Sequence, residues 1–122
     1  MALHGDSSGK FDIKSPADKF FRSFTDDINS TFDIISKEKI TEWVGWEKRT
    51  VKLSMSGNLI SDSYKTFKAT IAVTPKKDEA DGSHVVWTVE FEKIRRDVED
   101  PVWIISILIN YLKETDENLI NI

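Results

Sequence analysis

The chain contains no cysteine. Disulfides, thiolate catalysis and cysteine-based zinc or iron–sulfur sites are therefore excluded. Histidine is almost as scarce. His4 and His84 stand far apart in sequence, and their neighbours show no metal-ligand spacing. No G-x-S-x-G, P-loop or dinucleotide fingerprint occurs. A long hydrophobic run is also missing: Val102–Leu112 is broken by Ser106 and Asn110 and is far too short to span a bilayer. Met1–Lys10 is polar and Gly/Ser-rich, which does not read as a secretory signal. A cytoplasmic protein with no cofactor, no metal and no membrane partner is expected. Nor is there an excess of positive charge. The net charge is −4, and acids and bases interleave, as at Glu92–Asp97. Such a surface has no electrostatic reason to seek phosphate backbones, so no nucleic-acid partner is expected.

The 122 residues suffice for one domain, and 39% hydrophobic with 31% charged residues is neither disordered nor membrane-like. Residues 1–9 read as a flexible tail, with Gly5, Asp6, Ser7, Ser8 and Gly9, and residues 10–122 as the domain. Phe11–Lys14 alternates like a half-buried strand. Ser15-Pro16-Ala17-Asp18 is a helix start, with Ser15 as cap, Pro16 in the first helical position and Asp18 completing a capping box. Ala17, Phe20, Phe21 and Phe24 follow at helical spacing. The helix should be short, because Thr25-Asp26-Asp27 and Asn29-Ser30-Thr31 favour caps and turns.

Strand-like signals begin at Phe32 and include Trp43 and Val44, with a turn from Gly45 to Arg49. Val51, Leu53 and Met55 alternate with polar residues up to a break at Gly57-Asn58. Tyr64–Thr74 is the clearest strand, with Phe67, Ala69, Ile71 and Val73 on one face, and Pro75 ends it. After a hairpin loop with Asp81-Gly82, His84–Lys93 returns with Val85, Trp87, Val89 and Phe91 on one face. Asp100 as cap and Pro101 open a helix running to about Asn118. Its first three turns are apolar on nearly all sides, so something must enclose them. Its last turn, with Lys113, Glu114, Asp116 and Glu117, should return to water. The order predicts an α+β fold with helices on one face of an antiparallel sheet.

Several segments resemble plant major latex proteins. Tyr64-Lys65-Thr66-Phe67-Lys68-Ala69-Thr70-Ile71-Ala72-Val73-Thr74-Pro75 is similar to the penultimate strand of that family, and Val86-Trp87-Thr88-Val89-Glu90-Phe91-Glu92-Lys93-Ile94 to the next. An acidic linker leads through Asp100-Pro101 to the final helix. Lys37-Glu38-Lys39-Ile40 looks like the family's entry to an earlier strand, and Gly9-Lys10 through Phe20 like its first strand and helix start. The resemblance runs from about Gly9 to Ile120 and is specific in the C-terminal half. It implies the helix-grip fold of the Bet v I superfamily, a START-like curved antiparallel sheet around a long C-terminal helix. It further implies a cavity for sterols, flavonoids, hormones or fatty-acid-like molecules, and a link to defence and stress responses. The chain departs from the pattern between Thr25 and Ser36, which is too short for the family's second short helix, two further strands and glycine-rich loop. The sheet should lack about two strands, leaving the cavity open, smaller or collapsed.

The candidate ligand-binding residues are Phe20, Phe24, Leu53, Met55, Phe67, Ala69, Ile71, Trp87, Val89, Phe91, Ile104, Leu108 and Tyr111. Each also reads as plain core, where such residues usually lie. Tyr111 and Asn110 are the candidate hydrogen-bonding groups in a cavity. Trp43 and Trp46 read either as an exposed partner patch or as a cover over the open side. No residue is assigned a catalytic role. Asp26-Asp27 and Asp116-Glu117 lie in polar stretches, and Tyr111 is the one residue comparable to a cavity acid or base in enzymes of the wider superfamily. The leading expectation is a carrier or sensor for a small apolar ligand. The alternatives are a protein-interaction module, including a homodimer through an exposed sheet edge, and a cyclase or condensing enzyme.

Overall fold

The computed structural model describes residues 3–31, 41–55, 60, 62–77 and 82–120. Five strands form one antiparallel sheet in the order β1-β5-β4-β3-β2. They are β1 (His4–Ile13), β2 (Thr41–Gly45), β3 (Thr50–Ser54), β4 (Tyr64–Pro75) and β5 (Ser83–Lys93). Helix α1 (Ala17–Thr31) follows β1, and helix α2 (Val102–Ile120) closes the chain. One face of the curved sheet is apolar and meets both helices in a single buried cluster. The other face carries the charged and hydroxyl residues of the same strands, as period-two alternation requires. The expected helix-grip architecture is therefore present. The expected segments around Phe32–Ile40 and Gly57-Asn58, and residues 78–81 of the Lys76–Ser83 loop, fall outside the described residues.

Residues 4–9 are not a tail. They form most of β1, paired residue by residue with β5 from His4↔Glu92 to Gly9↔Trp87. The small residues that suggested fraying have a packing role. A Cβ added at Gly5 would stand 2.5 Å from Cζ of Phe91, and one at Gly9 would stand 2.6 Å from Cζ2 of Trp87. The two rings of β5 thus lie across β1 where only glycine leaves room.

Helix α1 is also longer than its polar residues predict, at 15 residues. The Thr25 hydroxyl turns back to the Phe21 carbonyl at 2.7 Å, so it does not stop the helix. The next turn brings Ile28 into the core beside Phe21 and Phe24. Burial of that apolar stripe outweighs weak local propensity. The capping box is not used as such: Ser15 gives its hydroxyl to Asp116, and Asp18 pairs with Arg49. Arg49 sits in the turn from Gly45 with a left-handed φ of 48°. That geometry is uncommon for a residue with a Cβ, and it aims the guanidinium back at the start of α1.

Helix α2 buries Ile104, Ile105, Leu108 and Leu112. It is not enclosed all round: Val102, Trp103 and Ile107 are exposed.

Candidate functional site: the gripped interior

Twelve of the thirteen candidate residues are buried and belong to one cluster, with Tyr111 half-buried against it. β4 and β5 bring most of the strand residues together because their register sets Phe67 opposite Phe91, Ala69 opposite Val89 and Ile71 opposite Trp87. β3 adds Leu53 beside Ala69. α1 supplies Phe20 and Phe24, whose ring centroids lie 5.4 Å apart. From α2 come Ile104, Leu108 and Tyr111, which share one side of the helix at spacings of four and three. Trp87 and Phe91 keep 9% and 6% of their surface exposed, whereas Phe20, Phe24, Ile71 and Leu108 keep none. The Trp87 and Phe91 rings over β1 therefore form the least sealed part of the aromatic layer.

The polar groups of the interior sit at its ends. At one end the Tyr64 hydroxyl donates to the Glu99 carbonyl at 2.6 Å, just before α2 begins. Burial, with Asp100 and Glu99 nearby, raises the Tyr64 phenol above its ordinary pKa. Lys93 pairs with the Asp100 carboxylate at 2.7 Å in the same region. At the other end Asp116 accepts from the Lys14 amide at 3.1 Å, the Ser15 amide at 2.9 Å and the Ser15 hydroxyl at 2.6 Å. The Ser83 hydroxyl completes this knot by donating to the Ser15 carbonyl at 2.9 Å. Asp116 is buried here, whereas its polar neighbours alone predict a solvated last turn. Its signal was available: Leu108, Leu112 and Asp116 continue the buried stripe at steps of four.

Tyr111 donates to the Phe24 carbonyl of α1 at 3.3 Å. Asn110, the other candidate for hydrogen bonding in a cavity, is exposed. The two tryptophans divide their roles. Trp46 meets Phe21 edge-on at 5.2 Å and covers that end of α1, while Trp43 stands on the outer face of the sheet. Two hollows, of about 490 and 320 Å³, open on that outer face. Among the described residues, no group of three His, Asp or Glu side chains is placed to hold a metal ion. Both phenols and the Asp116 carboxylate are engaged with main-chain groups.

Residues 33–122 match the model of the pathogenesis-related protein Bet v 1 family. The chain belongs to that family. An uncharacterized protein of Arabidopsis thaliana, At1g24000, is 47% identical over 121 residues, covering 99% of this chain and 98% of that one. MLP-like protein 423 of the same plant is 30% identical over 154 aligned positions, covering 98% and 97%. That alignment is longer than this chain, so the relative holds sequence with no counterpart here. Among solved structures, the major latex protein family member At1g70830 of Arabidopsis thaliana superposes with a TM-score of 0.75 at 25% identity, over 98% of this chain and 96% of that one. A norcoclaurine synthase of Thalictrum shares the fold at a TM-score of 0.66 and 9% identity, over 97% of each chain. Within the Bet v 1 family the chain is thus an MLP-like member, and its described residues form a sheet of five strands. Among its described residues, no helix is long and apolar enough to cross a membrane.

Proposed function

We propose that this Bet v 1 family chain reversibly binds a small apolar molecule between the sheet and α2, as a cytoplasmic carrier or sensor rather than as an enzyme. The supporting observation is the distribution of polar ties. They hold α2 near its start, through Tyr64 and Lys93, and near its end, through Asp116. Between them lies the layer of Phe67, Ile71, Trp87, Phe91, Ile104 and Leu108. Apolar contacts are non-directional, so a ligand's apolar surface can replace them without leaving a polar group unpaired. Affinity would grow by about 25 cal/mol for each Å² of ligand surface removed from water. The ligand classes are sterols, flavonoids, hormones and fatty-acid-like molecules. A place in defence or stress responses is the physiological expectation.

Native mass spectrometry of the purified protein with plant sterols, flavonoids and fatty acids tests this reading. A one-to-one complex with one class supports it and names the class. Bare protein with every class rejects it.

A protein-interaction module is the second reading, favoured by Val102, Trp103 and Ile107 standing exposed on α2 and by the ten-residue β1 at a sheet edge. A homodimer through that edge would be seen by light scattering. A monomer at all concentrations removes the dimer form of this reading.

A further inference from the structure

We infer that the outer face of the sheet carries a separate binding site, built around Trp43, for a planar aromatic anion. The β2–β3 register shifts between Thr41 and Trp43. Thr41 stands opposite Leu53, and a regular ladder would continue with Trp43 opposite the buried Val51. Instead Trp43 stands opposite Lys52, and Val44 takes the place opposite Val51. One bulged residue thus turns a large apolar ring out of the core and onto the polar face. Bulges recur where a side chain must be re-aimed, next to binding and active sites.

The indole folds down over Gly45, where the missing side chain leaves room for the ring. The Lys52 ammonium stands 5.8 Å from the ring centroid. Yet half the Trp43 surface remains open to water. The ring forms one wall of the 490 Å³ hollow, which Lys52, Thr70, Lys68 and Glu90 also line. That volume lies within the range of small-molecule sites, about 300–1,000 Å³.

The charges define the ligand. Lys68 and Glu90 are directly opposite across β4 and β5 and offset one another. Lys52 lies between Trp43 on β2 and Thr70 on β4, leaving a positive charge and a hydroxyl beside an aromatic plane. A flat aromatic body can stack against the indole while its carboxylate meets the Lys52 ammonium and the Thr70 hydroxyl. A neutral ring of the same shape would keep only the stacking.

The test is a titration with 2-naphthoate and, separately, 2-naphthamide, followed by amide and indole N–H shifts in NMR spectra of the whole chain. The expected shifts for the acid fall on the Trp43 indole, Lys52 and Thr70, and they weaken as salt is added. Trp43→Ala should weaken binding of the acid about tenfold, while Trp43→Phe retains most of it. Lys52→Gln should leave acid and amide bound equally. Both positions are exposed, and unchanged amide shifts in β1 and β5 certify the fold. Shifts on inner-face residues such as Val89 and Leu108 without shifts at Trp43, or equal affinities of wild type and Trp43→Ala, overturn the proposal.

Discussion

The carboxylate of Asp116, near the end of α2, accepts the hydroxyl of Ser15 at 2.6 Å and its amide at 2.9 Å, joining residues 101 positions apart. One side chain thereby ties the C-terminal helix to the connection between β1 and α1. Removing it orphans two main-chain donors and a hydroxyl in a buried setting. Asp116→Ala should therefore lower unfolding stability by about 3 kcal/mol, and Ser15→Ala by about 1 kcal/mol, in urea titrations. Equal, small losses from both would mean that the clamp contributes little.

The glycine bed under the β5 rings makes a second expectation. Gly9→Val should displace the Trp87 ring and cost about 1–3 kcal/mol, with a changed near-ultraviolet circular dichroism signal from tryptophan. Ser8→Val, at an exposed position of the same strand, should leave that signal unchanged. If both variants behave alike, the ring does not rest on Gly9.

Alkaline pH should weaken the fold through Tyr64. Its phenol titrates above the ordinary 10.0 in the folded chain because it is buried beside Asp100 and Glu99. Below pH 10 both states hold the proton, and its contribution is complete. As pH rises above that value the unfolded chain loses the proton first, so stability falls. Tyr64→Phe should be less stable near neutrality by about 1 kcal/mol, through loss of the bond to Glu99, and should show a flatter alkaline decline. Parallel declines would place the effect elsewhere.

The two sides of α2 should respond oppositely to truncation. Leu108→Ala removes a fully buried side chain and should cost about 2–5 kcal/mol. Ile107→Ala, next in sequence but exposed, should stay within about 0.5 kcal/mol. Under the proposed function, the Leu108→Ala space should also tighten binding of a bulky ligand such as a sterol. Weaker binding would place the ligand away from α2.

The strands β4 and β5 were legible in the sequence because alternation of apolar and polar residues reports a two-faced sheet whatever lies opposite. The inward candidates on these two strands, Phe67, Ala69, Ile71, Trp87, Val89 and Phe91, were legible for the same reason. Residues 4–9 were misread because Gly5 and Gly9 look like fraying until the rings of Phe91 and Trp87 are in place over them. Helix α1 was underestimated because Thr25 and Asp26 argue locally for a stop, while Ile28 argues through burial for continuation. Asp116 continues the buried stripe of α2, but an acidic side chain between Glu114 and Glu117 argues locally for water.

By itself the sequence determined the antiparallel alternation, the two helix starts, the family resemblance and, through its lack of cysteine, the absence of thiol chemistry. These follow from residue type and short-range spacing. The tertiary structure alone decided that Trp43 faces outward and Val44 inward, because a single bulged residue reverses the faces of β2 and local alternation does not record it. It alone decided which side of α2 is covered, burying Ile104, Ile105, Leu108 and Leu112 and leaving Val102, Trp103 and Ile107 exposed. It alone joined Ser15 to Asp116. Contacts between residues so far apart depend on where the chain returns, which no local pattern specifies.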